Sequence, residues 1–144
     1  MATKLSSETL HASCVAIDGR AVLIMGPSGA GKSDLALRLI DRGATLVSDD
    51  YTIVRRVSGI LQAVAPATIV GMIEVRGVGL VAMPYVSDIP VALVVNIGGP
   101  VDRLPDPDKS QILAGCTVPQ VALAAHEPST PLKVELALKR IAST

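Results

Sequence analysis

Residues 26–33 read GPSGAGKS and satisfy the phosphate-loop pattern G-x-x-x-x-G-K-[ST]. Each part has a chemical reason. Glycines permit a left-handed backbone, so successive N–H groups can converge on phosphate oxygens. A helix expected to begin at Ser33 adds the positive end of its dipole. Lys32 can neutralise the outer phosphates, Ser33 can ligate Mg²⁺, and Ser28 adds a hydroxyl within the loop. Gly26, Pro27, Ser28, Gly29, Ala30, Gly31, Lys32 and Ser33 are therefore the expected phosphate-binding set.

A carboxylate pair, Asp49-Asp50, follows. A helix from Ser33 to Gly43 climbs about 16 Å at 1.5 Å per residue. A strand of five residues returns about 16 Å at 3.3 Å per residue. A βαβ crossover makes the strands parallel, so Asp49 should arrive beside the loop at the carboxyl end of its strand, where open α/β sheets bind ligands. One carboxylate could hold a metal or its waters, and the other could accept a proton from an attacking hydroxyl. A solvated turn is the plainer reading of the same two residues.

The rest of the chain must position these groups. It has 144 residues, enough for one domain. Hydrophobic residues make up 49% and aromatics 1%, with no Phe or Trp, so the core is expected to be aliphatic strands covered by helices. Formal net charge is zero, without a basic cluster or aromatic platform, which argues against a nucleic-acid surface. No apolar run is long enough to span a bilayer, and the N-terminus lacks an apolar signal core. A cytoplasmic protein with no membrane contact is the expectation. Cys14 and Cys116, each in an apolar run, are expected to be buried free thiols.

Strands are expected at Ser13–Ile17, Ala21–Met25, Ala44–Val47, Thr52–Val57, Leu61–Ala63, Ile73–Val75 and Pro90–Ile97, with a short one after Pro119. Asp18-Gly19-Arg20 reads as a hairpin turn, and Gly43 suits a left-handed helix cap. Residues 98–107 and 125–131 read as loops, and Leu132–Ala142 as a closing helix.

The stretch from Gly26 to Asp50 resembles the segment of bacterial HPr kinase/phosphorylases that carries the phosphate loop, then R-G-H-x-L-V-A-D-D. His11, fifteen residues before the loop, matches a family histidine near the catalytic aspartate. Ile73-Glu74-Val75-Arg76-Gly77 resembles the E-I-R-G signature, and Asp102-Arg103-Leu104 resembles D-R-L-G. The resemblance implies an α/β phosphate-loop fold related to PEP carboxykinase, a mixed sheet with flanking helices. It implies an ATP- and Mg²⁺-dependent protein serine kinase acting on the phosphocarrier HPr, in regulation of carbohydrate and phosphotransferase-system metabolism, commonly as a hexamer. Many members also run phosphorolysis of phosphoserine. Carried residue by residue, Asp49 is the base, Lys32, Ser28 and the loop amides bind phosphate, and Ser33 and Glu74 hold Mg²⁺ with Asp50 nearby. His11 lies by the base, and Arg103 stabilises the transferring group.

The sequence departs from that pattern in three places. The N-terminal domain of longer members is not expected, so residues 1–144 read as a single catalytic domain of the short, alphaproteobacterial type. The P-V-x-P-G-R-N loop is replaced by Val118-Pro119-Gln120 and HEPSTP, which bears on phosphorolysis more than on kinase activity. Pro105 follows Leu104 where the family has Gly. A nucleotide-sensing module without transfer, or a small-molecule kinase, stand as alternatives.

Overall fold

The computed structural model describes residues 6–141. Its strands are β1 (Ser7–Leu10), β2 (Ala12–Ile17), β3 (Arg20–Met25), β4 (Thr45–Ser48), β5 (Thr52–Val57), β6 (Ile60–Val64), β7 (Met72–Val75), β8 (Gly79–Ala82), β9 (Ile89–Ile97), β10 (Ser110–Leu113) and β11 (Cys116–Leu123). Two α-helices, α1 (Lys32–Asp41) and α2 (Thr130–Lys139), and a 3₁₀ turn at Ala67–Ile69 complete it.

The main sheet runs β1-β5-β6-β9-β3-β2-β4, with β11 also on β9 and β10 on β11. β3, β9 and β11 are mutually parallel. β2 is antiparallel to both β3 and β4, so β4 runs in the direction of β3 with β2 between them. The carboxyl ends of β3, β4, β9 and β11 therefore share one edge with the amino end of β2. The hairpin β7–β8 forms a separate two-stranded sheet.

Apolar alternation decides what covers each face. From β3, Val22 and Ile24 pack with Leu35 and Leu39 of α1 and with Val134 and Leu138 of α2. Ala21 and Leu23 face the other way, onto Val54, Leu61, Ala63 and Val118. Burial on both faces explains why β3 is an uninterrupted apolar run. The expected mixed α/β sheet is present, but its helices cover one face only, and antiparallel strands cover the other.

Local signals set the ends. Asp18 and Gly19 have φ of 50° and 75°, the paired left-handed residues of a type I′ hairpin turn. After α1, the Gly43 N–H donates to Ile40 O and the Ala44 N–H to Leu39 O, each at 3.0 Å, a Schellman ending with Gly43 at φ 111°. Arg20 donates to the carbonyls of Ile141 and Leu138 at 3.1 and 3.2 Å, satisfying the end of α2. Arg42 ties the helices together through bonds of 3.0 and 2.8 Å to the two oxygens of Glu135, and this hydrogen bonding holds the Glu135 carboxyl below its ordinary value.

Several elements differ from the sequence expectation. β1, β8 and β10 are additional strands, and β11 runs through Pro119 rather than starting after it. Pro119 is tolerated because β11 pairs with β10 as far as Pro119 and with β9 from Gln120 onward, so the missing N–H falls between two ladders. The closing helix starts at Thr130 and ends at Lys139, and Ala142, its expected last residue, lies outside the described residues. Cys14 is fully buried and burial pushes its thiol far above the ordinary range, whereas Cys116 is only half-buried; both are free. No helix among the described residues is long and apolar enough to cross a membrane.

Candidate active site

The phosphate loop joins β3 to α1 and is shaped by close contacts. A methyl group at Gly26 would stand 2.5 Å from the carbonyl oxygen of Ile97, at the end of β9. Gly29 and Gly31 sit at φ 80° and 106°, where a side chain is strained. Gly31 precedes α1 without a side-chain cap, and the Leu35 N–H gives a 3.0 Å bond to Gly31 O. The N–H groups of the first turn therefore open toward the loop. Gly26→Ala should destabilise the protein by about 1–3 kcal/mol, because the clash is with rigid backbone. A urea midpoint unchanged from the parent would show that β9 yields instead.

Lys32 is 7% exposed. Its Nζ donates to Gly26 O and Pro27 O at 2.8 and 3.1 Å. Among the described residues it has no carboxylate partner. A nearly buried ammonium held only by carbonyls, beside uncapped helix N–H groups, fits a phosphate chain.

Asp49 follows β4 and is 5% exposed. Its Oδ1 accepts Ser13 Oγ at 2.8 Å and Ser33 Oγ at 2.6 Å, and its Oδ2 accepts the Glu74 N–H at 2.9 Å. A carboxylate has about four acceptor sites, so most of its capacity is engaged. Asp50 turns the other way. The Tyr51 N–H donates to Asp49 O at 2.7 Å across Asp50, whose φ is 68°. This is a γ-turn of the strained hand, a conformation that neighbours must hold in place. His11 Nε2 lies 3.0 Å from Asp50 Oδ1, and the His11 ring stacks on Tyr51 with centroids 5.0 Å apart.

A cavity of about 930 Å³ opens over the loop. It is lined by His11, Ser28, Lys32, Ser33, Asp50 and Glu74, while Asp49 lies buried behind Ser33. Arg103 is not brought there, because it sits on the exposed loop after β9. Among the side chains without an expected role that line it are Arg76 from the β7–β8 hairpin and His126 beyond β11. Arg38 fixes the backbone on either side of His126, donating to Ala125 O and, at 3.3 Å, to Glu127 O. The signal for His126 was topological: a loop after a parallel strand ends at the ligand edge.

Among the described residues no group of three or more His, Cys, Asp and Glu converges as a metal cage. Ser33, Glu74 and Asp50 offer hard oxygen donors, which suits Mg²⁺ in its usual mode, with few protein ligands completed by phosphate oxygens and water. That ion would supply charge neutralisation on the phosphates.

The fold and the loop define a phosphate-loop α/β domain. A family model, the HPr Serine kinase C-terminal domain, matches residues 3–129, and the chain belongs to that family. It is 45% identical over 82 residues to an HPr kinase/phosphorylase of Clostridium botulinum (strain Eklund 17B / Type B), covering 56% of this chain and 27% of that protein. It is 38% identical over 109 residues to the HPr kinase/phosphorylase of Clostridium tetani, covering 75% of this chain and 36% of that protein. The chain thus spans about a quarter to a third of these relatives' length. The solved structure of the Hpr(Ser) kinase/phosphatase from Coxiella burnetii superposes with a TM-score of 0.79 at 29% identity, over 92% of this chain and 89% of that one.

Proposed function

We propose that this chain is a single catalytic domain that transfers the γ-phosphoryl group of ATP, with Mg²⁺, to a serine hydroxyl of the phosphocarrier protein HPr. The observation that carries the reading is Asp49, a buried carboxylate held against the phosphate loop through a 2.6 Å bond from Ser33. A module that only binds nucleotide has no use for a proton acceptor there. Family membership supplies the substrate, and the homo-oligomer implied by the resemblance belongs to the same reading.

In the forward step Lys32, Ser28 and the loop N–H groups hold the phosphates. Ser33, Glu74 and Asp50 would hold the metal, which would neutralise charge on the phosphates, and a Ser33 hydroxyl so engaged would free one acceptor position on Asp49 Oδ1. Asp49 then takes the proton of the acceptor serine, whose oxygen bonds to the γ-phosphorus as the bond to the ADP oxygen breaks. The arginine available to the developing charge is Arg76, which lines the cavity, in place of Arg103. His11 acts through Asp50, its partner at 3.0 Å.

Incubation with Mg-ATP and HPr should yield acid-stable phosphoserine on HPr. Its absence with the unaltered chain removes the kinase reading. Inorganic phosphate added to phosphorylated HPr tests phosphorolysis separately, and the divergent loop at 125–131 predicts that the reverse reaction is the slower one.

A further inference from the structure

We infer that Ser13 is a positioning residue for Asp49, an assignment that rests on reading Asp49 as the proton acceptor. The sequence of β2, ASCVAI, is otherwise apolar, and its first five residues are buried. Ser13 is 0% exposed. Serine gains little in a strand, and a buried hydroxyl without partners is costly. Such a local mismatch calls for a use of the hydroxyl.

The use is specific. Ser13 Oγ donates to Asp49 Oδ1 at 2.8 Å and accepts the Asp50 N–H at 3.3 Å. One oxygen therefore ties the carboxylate and the following backbone together across the strained γ-turn. The pairing of β2 with β4 also slips here, from Cys14–Ser48 to Val15–Leu46, a bulge directly before Asp49. Bulges re-aim the side chains beside them.

The other two donors to Asp49 are less fixed. Ser33 would hold the metal and would then no longer donate to Asp49. The Glu74 N–H belongs to β7, which lies outside the main sheet. Ser13 alone stands on the strand adjacent to β4. Its bond to Asp49 does not depend on where the Ser33 hydroxyl is engaged.

The test uses the full chain in two matched pairs, unaltered against Ser13→Ala, and Ser13→Thr against Ser13→Val. Each pair differs mainly in the hydroxyl. The hydroxyl-bearing member should form phosphoserine on HPr about tenfold faster at saturating ATP, as expected when a reacting group loses its aim. KM for ATP should stay within about twofold, because no nucleotide contact is removed. Equal kcat within both pairs overturns the assignment while leaving Asp49 as the base. Loss of the folded state in Ser13→Ala and Ser13→Val, read by thermal melting, also overturns it, since the hydroxyl then serves folding alone. No phosphoserine from the unaltered chain would instead overturn the underlying reading.

Discussion

Asp49→Asn is expected to slow phosphoryl transfer by about 10²–10⁴-fold while ATP affinity changes little, the range for loss of a positioned base. The substitution is nearly isosteric, so the cavity keeps its shape. The amide can hold its oxygen toward the Glu74 N–H and turn its NH₂ toward the hydroxyls of Ser13 and Ser33, both of which can accept. Each of the three contacts then survives, with the serine hydroxyls accepting in place of donating, and the folded state should be nearly as stable as the parent. What is lost is the capacity to take a proton. Single-turnover transfer to HPr, measured with nucleotide titration, separates the two effects. Transfer at the parent rate would remove Asp49 from the chemistry and leave it as a structural carboxylate.

Lys32→Met should act with opposite signs on catalysis and stability. Removing the ammonium takes away the charge proposed to meet the transferring phosphates, worth about 10²–10³ in rate for one preorganised donor. ATP binding weakens as well. Yet Lys32 is a nearly buried cation held by the carbonyls of Gly26 and Pro27. Replacing a poorly compensated buried charge by an apolar chain of similar length is often neutral or stabilising. The ligand-free variant should therefore melt at the parent temperature or above, while its transfer rate collapses. A lower melting temperature would mean that the two carbonyl bonds outweigh desolvation, and that the lysine braces the loop.

Much of this site could be read from residue types and spacing. The loop announces itself because its glycines, lysine and hydroxyl are contiguous. Asp49 follows from arithmetic: one helix out and one strand back end near Ser33, and the two side chains lie 2.6 Å apart. That arithmetic is blind to β2, an antiparallel strand between β3 and β4, since helix and strand lengths fix height but not lateral order. The three additional strands were hidden for separate reasons. β1 alternates between exposed and half-buried positions, β8 is almost wholly exposed, and β10 carries polar residues at an edge. β1 (SETL) and β10 (SQIL) show no apolar run, and in β8 the apolar stretch is only Leu80-Val81-Ala82-Met83, at the short limit for a strand signal. Arg103 looked functional through its neighbours Asp102 and Leu104, but it is exposed on its loop and is not among the residues that line the cavity. Arg76 and His126 reach the cavity through topology, which a linear motif does not encode.

The place of β2 has a kinetic consequence. Its hairpin with β3 closes through a two-residue turn, so Ser13 reaches its register opposite Ile24 through short-range contacts. Asp49 meets Ser13 only after a separation of 36 residues, once α1 has packed. Short loops close at lower entropic cost than long ones. The hydroxyl and the phosphate loop are thus brought together early, and the carboxylate arrives late, into a socket already formed. In pulse-labelled hydrogen exchange, the β2–β3 amides should gain protection before the Glu74 N–H that Asp49 receives.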